Sequence, residues 1–170
     1  MKKIMTAGTL LIAALILTVT ACTQIYDDDD LKGDKDLQCE GGVYQKDANL
    51  CWQYPEASGS YEWQEAIDYC KGLNLAGHSD WYLPSRQDFI NLLGGCDSDV
   101  TSGKYGYCNE CSESDTCSSL FGSDDSGWFW SSSSYVDSTD YAWYVNFYSG
   151  HVYANDKAHC SNARCARSGP

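Results

Sequence analysis

The sequence predicts a single α+β domain, rich in loops and crosslinked by disulfides, rather than a helical bundle. Three observations carry this expectation. The 170 residues include six Trp, 13 Tyr and 15 Gly but only two Met, a composition that suits short strands and turns. Ten Cys fit an oxidising compartment and not a reducing cytosol. Two stretches with helical spacing precede several short strand-like runs. The length suits one domain with a short tail. Lys and Arg total 11 against 24 Asp and Glu, a net charge of -13. Such a chain lacks the cations that neutralise phosphates, which excludes nucleic acid as a partner. Polybasic attachment to a membrane surface is excluded for the same reason.

Residues 1–21 read as an export signal. Met1-Lys2-Lys3 is a basic start, and Leu10 to Leu17 is an unbroken apolar run, too short to span a bilayer and right for a signal core. Val19-Thr20-Ala21-Cys22 resembles a bacterial lipobox, in which the Cys is lipidated after cleavage. The bland alternative is an ordinary signal peptide with Cys22 as a plain thiol. Cleavage removes Lys2 and Lys3, so the mature chain is two charges more negative. Two or more acyl chains give a stable anchor, since each buried CH₂ contributes about 0.8 kcal/mol. Thr23 follows the Cys. Absence of Asp there favours the outer membrane in a Gram-negative host.

Residues 22–38 read as a disordered acidic tether. The run Asp27 to Asp30 and the charges that follow Leu31 leave too little apolar surface to offset the entropy of ordering. A Ca²⁺ site on this run is the weaker reading, because hard cations need ligands on a shaped loop.

The folded domain, 39–170, begins near Cys39. Gly42 to Gln45 and Leu50 to Gln53 are strand-like, and Lys46 to Asn49 is turn chemistry, which predicts a hairpin that Cys39 and Cys51 could clip. Trp63, Ala66, Ile67, Cys70 and Leu73 fall on one helical face, with the helix ending near Gly72. Ser85 is an N-cap with Asp88 three residues on, and Phe89, Leu92 and Leu93 form the apolar face of a second helix that Gly94-Gly95 stops. Residues 97 to 125 carry seven acids against Lys104 and lack apolar periodicity. Crosslinks through Cys96, Cys108, Cys111 and Cys117 are expected to hold that stretch in place of a core. Gly127 to Ser131 reads as a strand. In Tyr141 to Phe147, the bulky odd residues Tyr141, Trp143, Val145 and Phe147 predict a buried strand face. Ser149-Gly150 is a turn, Val152 to Ala154 a returning strand, and Ala163 to Arg167 a last one.

Several pieces recur in a specific order: Leu50-Cys51-Trp52-Gln53, Trp63 to Cys70, Asp80-Trp81-Tyr82-Leu83-Pro84-Ser85, Trp130 to Ser133, Ala142 to Phe147, Gly150 and Arg164-Cys165-Ala166-Arg167. Across roughly residues 42 to 168 the chain resembles the Lcl C-terminal domain family, a domain of unknown function. The resemblance implies a C-type-lectin-like fold, with two helices packed on a small, mostly antiparallel sheet and long loops on one side. It also implies a disulfide between Cys70 and Cys165. The chain departs from the family at Tyr82, where Arg is usual, and at Ala166, where Val is usual. It also has no collagen-like repeat, so collagen-driven trimerisation does not carry over.

Catalysis is not expected: His78, His151 and His159 are the only histidines and none lies in a nucleophile motif. Cys108, Cys111 and Cys117 have zinc-like spacing, but in an exported chain disulfides are the preferred reading. Asp97, Asp99, Asp124 and Asp125 would suit Ca²⁺, a weaker alternative because the Glu-Pro-Asn and Trp-Asn-Asp motifs of calcium-dependent lectins are missing. Trp128, Trp130 and Trp143 could stack on sugar rings, although such residues in strands are more often core. Asp124, Asp125, Trp128, Trp130 and Arg86 are therefore the candidates for ligand contact. Polyanionic glycans are poor ligands unless Arg86, Lys157, Arg164 and Arg167 gather locally. Lipidation of Cys22 leaves nine Cys, so at least one thiol stays unpaired within the chain. Cys160 is placed to bridge to the acidic loop, and an odd exposed thiol favours a disulfide-linked dimer. The reading that emerges is a non-enzymatic, lipid-anchored envelope protein with a ligand-binding or adhesion domain for an extracellular glycan or protein. A structural envelope lipoprotein is the alternative. An enzyme of formylglycine-generating-like fold ranks third, because fold alone does not carry function.

Overall fold

The computed structural model describes residues 38–108, 121 and 127–170. Cys22, where lipidation is expected, the expected tether up to residue 37, and Cys111, Cys117, Asp124 and Asp125 lie outside the described residues.

Turn chemistry sets the first hairpin. Strands β1 (Gln38–Cys39), β2 (Gly42–Gln45) and β3 (Leu50–Gln53) pair antiparallel, with Gly42 opposite Gln53 and Gln45 opposite Leu50. Asn49 closes the turn at φ 52°, a left-handed conformation that Asn tolerates better than most residues. A disulfide joins Cys39 to Cys51 across this unit, as the sequence suggested.

Helix α1 (Trp63–Gly72) buries Ala66 and Cys70, while the Glu62 backbone N–H donates to Glu65 Oε2 at its start. Helix α2 (Arg86–Leu93) starts on a capping box: Ser85 Oγ accepts from Asp88 N, and Asp88 Oδ2 accepts from Ser85 N. These reciprocal bonds satisfy donors that a helix start leaves orphaned. Phe89, Ile90, Leu92 and Leu93 are all buried.

The acidic stretch is more structured than expected. A one-turn helix, α3 (Ser98–Thr101), and a two-residue strand, β4 (Gly106–Tyr107), lie within it. Val100 and Cys108 are fully buried, and a disulfide joins Cys96 to Cys108. The expectation that crosslinks replace a core here is corrected: side chains of 97–108, and Phe121, enter the main core. One apolar residue per turn cannot show a period, which is why no helical or strand pattern is visible in this stretch.

Strands β5 (Trp128–Ser134), β6 (Tyr141–Asn146) and β7 (His151–Asp156) follow, then β8 (Ala166–Ser168). The last strand is shorter than expected. Residues 163–165 instead make single bonds to the end of β3 and the loop after it, Gln53 N to Cys165 O at 2.8 Å and Ala57 N to Ala163 O at 3.1 Å. The single small sheet becomes two four-stranded antiparallel sheets, ordered β1-β2-β3-β8 and β4-β7-β6-β5. Isolated bridges, among them Tyr82 to Ala166 and Phe129 to Asn162, tie loop residues to the strands. Cys70 on α1 is bonded to Cys165, both fully buried.

Two apolar clusters fill the domain. Phe129, Trp143, Val145, Phe147 and Val152 face Trp52 and helix α2. Trp130 and Ala142, on the opposite face of the second sheet, pack with Ala66 and Cys70 of α1. The odd residues of β6 are buried as expected except Tyr141, which is exposed at the strand's start. Among the described residues, no helix is long and apolar enough to cross a membrane.

Candidate functional site

Strand alternation decides which aromatic side chains share a face. In β5 and β6, Trp128 pairs with Asn146 and Trp130 with Tyr144. Tyr144 pairs with Tyr153 of β7, and His151 pairs with Tyr107 of β4. One face of the second sheet therefore carries Trp128, Trp130, Tyr144, Asn146, His151, Tyr153 and Tyr107. Helix α1 covers one end of that face, over Trp130 and Ala142. Beyond it the rings reach the surface: Tyr107 is 48% and Tyr153 37% exposed, and Trp128, Tyr144 and His151 are partly exposed.

The rings touch in an unbroken run. Trp128 stacks on Tyr144 at 4.2 Å between centroids and meets Tyr153 edge-on at 6.1 Å. His151 lies 5.4 Å from Tyr153 and 6.3 Å from Tyr107. Tyr105, just before β4, stacks on both Tyr153 and Tyr135, carrying the run past the edge of β7. Burial, with the neighbouring Tyr153, pushes the Tyr144 phenol above its usual value, so it stays a neutral donor at physiological pH.

Polar groups are set among these rings by the β6–β7 turn. Asn146 Oδ1 accepts from both the backbone N and the Oγ of Ser149, each at 2.9 Å. Ser149 Oγ lies 2.7 Å from His151 Nδ1. Gly150 permits the turn: its φ is +67°, and a Cβ there would sit 2.2 Å from Cys108 O, closer than any side chain allows.

The ligand candidates fall out unevenly. Trp128 lies on the exposed part of the aromatic face. Trp130 does not: it is fully buried and its Nε1 donates to Tyr61 O at 2.9 Å. Trp143 is likewise core, 4% exposed. Arg86 is also withdrawn, because its Nη2 donates to Val100 O and Lys104 O while its Cζ sits 4.2 Å over the Trp143 ring. Burial lowers its pKa. Asp124 and Asp125 lie outside the described residues. The acidic pair proposed with them is spent locally, since Asp97 accepts from Val100 N and Tyr107 N, and Asp99 pairs with Lys104 at 3.2 Å. Among the described residues, no group of three or more His, Cys, Asp or Glu side chains could hold a metal ion.

The four cations do not gather either. Lys157 binds Ser134 and Thr139 and covers Trp63. Arg164, fully buried, binds Gln53 O and Glu56. Arg167 donates to Ser168 O and lies near Trp81. Cys160 is corrected as well: it is an exposed free thiol and makes no bridge to the acidic loop. His78 binds Glu40, and His159 is exposed in a turn. An open cleft of about 430 Å³ lies elsewhere, walled by Pro55 to Ser60 and Asn162. Its one charged wall residue, Glu56, is already paired with Arg164.

Sequence reasoning missed Tyr105, Tyr107, Tyr144, Asn146, His151 and Tyr153. The alternations Tyr105-Gly106-Tyr107 and His151-Val152-Tyr153 were the available signal. No curated protein matches the chain in sequence. The Lcl C-terminal domain matches residues 41–167, most of the chain and all but the edges of the folded part, and the protein belongs to that family.

Proposed function

We propose that the protein is a non-enzymatic envelope protein, anchored to the outer membrane through a lipid on Cys22, whose C-type-lectin-like domain binds an extracellular glycan in adhesion. One observation carries the reading: the exposed run of rings from Trp128 through Tyr153 to Tyr107 on a single sheet face. Contiguous exposed apolar surface marks an interaction site, and flat aromatic rings pair with the apolar faces of sugars. The Cys70–Cys165 bond, which ties α1 to the C-terminal segment, supports the lectin-like assignment. The lipobox at Val19 to Cys22 supports the anchor.

A glycan array at physiological salt, with and without Ca²⁺, tests the binding. Wild type should retain a subset of glycans that Tyr153→Ala loses while its circular dichroism is unchanged. No glycan retained under either condition would leave the structural-lipoprotein alternative standing. For the anchor, Cys22→Ser should accumulate uncleaved precursor and lose acyl labelling; equal labelling in mutant and wild type would remove it.

A further inference from the structure

Hydrogen-bond accounting around Ser149 fixes what the polar groups between the rings present. A serine hydroxyl has one proton. Ser149 Oγ gives that proton to Asn146 Oδ1, which also takes the Ser149 backbone N–H. The two donors assign this atom as the carbonyl oxygen of the amide, because the amide nitrogen cannot accept. Ser149 Oγ is then an acceptor toward His151 Nδ1, 2.7 Å away. The proton of the neutral imidazole therefore sits on Nδ1, and Nε2 keeps its lone pair. Among the described residues neither Asn146 Nδ2 nor His151 Nε2 hydrogen-bonds another group; Asn146 is 9% exposed at the floor of the row and His151 is half-buried. The register places Asn146 beside Trp128 and His151 beside Tyr107. One row of the sheet thus reads ring, donor, acceptor, ring.

We propose that this row, Trp128–Asn146–His151–Tyr107, is a subsite for a neutral sugar, with Asn146 Nδ2 donating to one hydroxyl and His151 Nε2 accepting from its neighbour. The proposal rests on the glycan reading above and narrows it. Each sugar hydroxyl can donate and accept, so a neighbouring pair satisfies both groups. A sulfate or carboxylate offers only acceptors, which His151 Nε2 cannot bind while neutral. The cations that could offset this, Arg86, Lys157, Arg164 and Arg167, are held by other contacts. The overall charge of -13 opposes a polyanion further.

Calorimetry in mildly alkaline buffer tests this with neutral hexasaccharides of glucose, N-acetylglucosamine, xylose and mannose, and with a heparin hexasaccharide. At least one neutral probe should bind and the heparin probe should not. His151→Phe keeps a ring but loses the acceptor, and should weaken binding about tenfold. His151→Gln restores an acceptor in reach and should bind within about threefold of wild type, less than half the free energy of a tenfold loss. Imidazole ¹⁵N shifts of wild-type protein should show Nε2 as the unprotonated nitrogen, and it should be the one moved by sugar. Neutral binding unchanged in His151→Phe, equal losses in both variants, or an unprotonated Nδ1 would each overturn the subsite. Heparin binding without neutral binding would overturn the subsite and leave the glycan reading intact. No binding by any probe would remove both.

Discussion

Arg86 shows how a residue is misread when only its charge is visible. As one of the few cations that could gather against an anionic glycan it qualified for ligand contact. In the fold it donates to Val100 O at 2.6 Å and Lys104 O at 3.2 Å, and covers Trp143. It thereby fastens the turn between α3 and β4 to the start of α2. Arg86→Met should destabilise the domain by about 1–2 kcal/mol, the scale of losing hydrogen bonds from a charged donor in a half-buried site. Arg86→Lys should recover less than half, because the ammonium has no planar guanidinium to lie on the Trp143 indole while its outer nitrogen reaches both carbonyls. Urea unfolding of the three proteins measures this, and a midpoint unchanged in Arg86→Met would contradict it. Trp128 and Trp130 make the same point, since they share a face two residues apart. One is partly exposed and the other fully buried, because the cluster around α1 takes in Trp130 and leaves Trp128 out.

At the scale of elements, local chemistry was the most legible. Ser85 with Asp88 places the start of α2, and Gly94, at φ 62°, ends it. The α3–β4 unit was not legible, being too short for a period, and it depends on one carboxylate. The Val100 N–H, with that of Tyr107, holds the Asp97 carboxyl below the usual carboxylate range despite an opposing desolvation. A depressed pKa in the folded state contributes stability that is fully present above the unfolded value. That stability is lost as pH falls through the folded value. Hydrogen exchange of the Val100 and Tyr107 amides should therefore accelerate below about pH 4, near the ordinary Asp pKa. In Asp97→Asn, which caps without titrating, exchange corrected for its intrinsic pH dependence should stay flat. An equal acid response in both proteins would show that another group controls the segment.

Over the whole molecule, long-range crosslinks set the topology. Cys70 and Cys165 are 95 residues apart in sequence and join α1 to the segment before β8. Closing a loop of this length limits the unfolded chain by about 4–5 kcal/mol, a large share of the roughly 5–15 kcal/mol that holds a typical domain. Cys70→Ala/Cys165→Ala should lower the denaturation midpoint accordingly or leave the domain unfolded. A midpoint matching wild type would show that the bond only decorates a topology fixed by packing. The resemblance to the family pointed to this pair, whereas Cys96–Cys108 emerges only once β4 brings residue 108 back beside residue 96.

The sequence alone determined the end of α1, both ends of α2 and the hairpin of β2 and β3. Caps, glycines and turn residues act within a few positions of the backbone they govern. It also picked out Trp143 and Val145 of β6 as inward residues, because a strand alternates with a period of two, though Tyr141 at the strand's start is exposed. Only the tertiary structure decided that two sheets form and that their outer face is half covered. It alone brought Tyr107, His151, Asn146 and Trp128 into one row. Those four residues come from four strands, and strand order depends on pairing between segments up to several dozen residues apart, which no local pattern encodes.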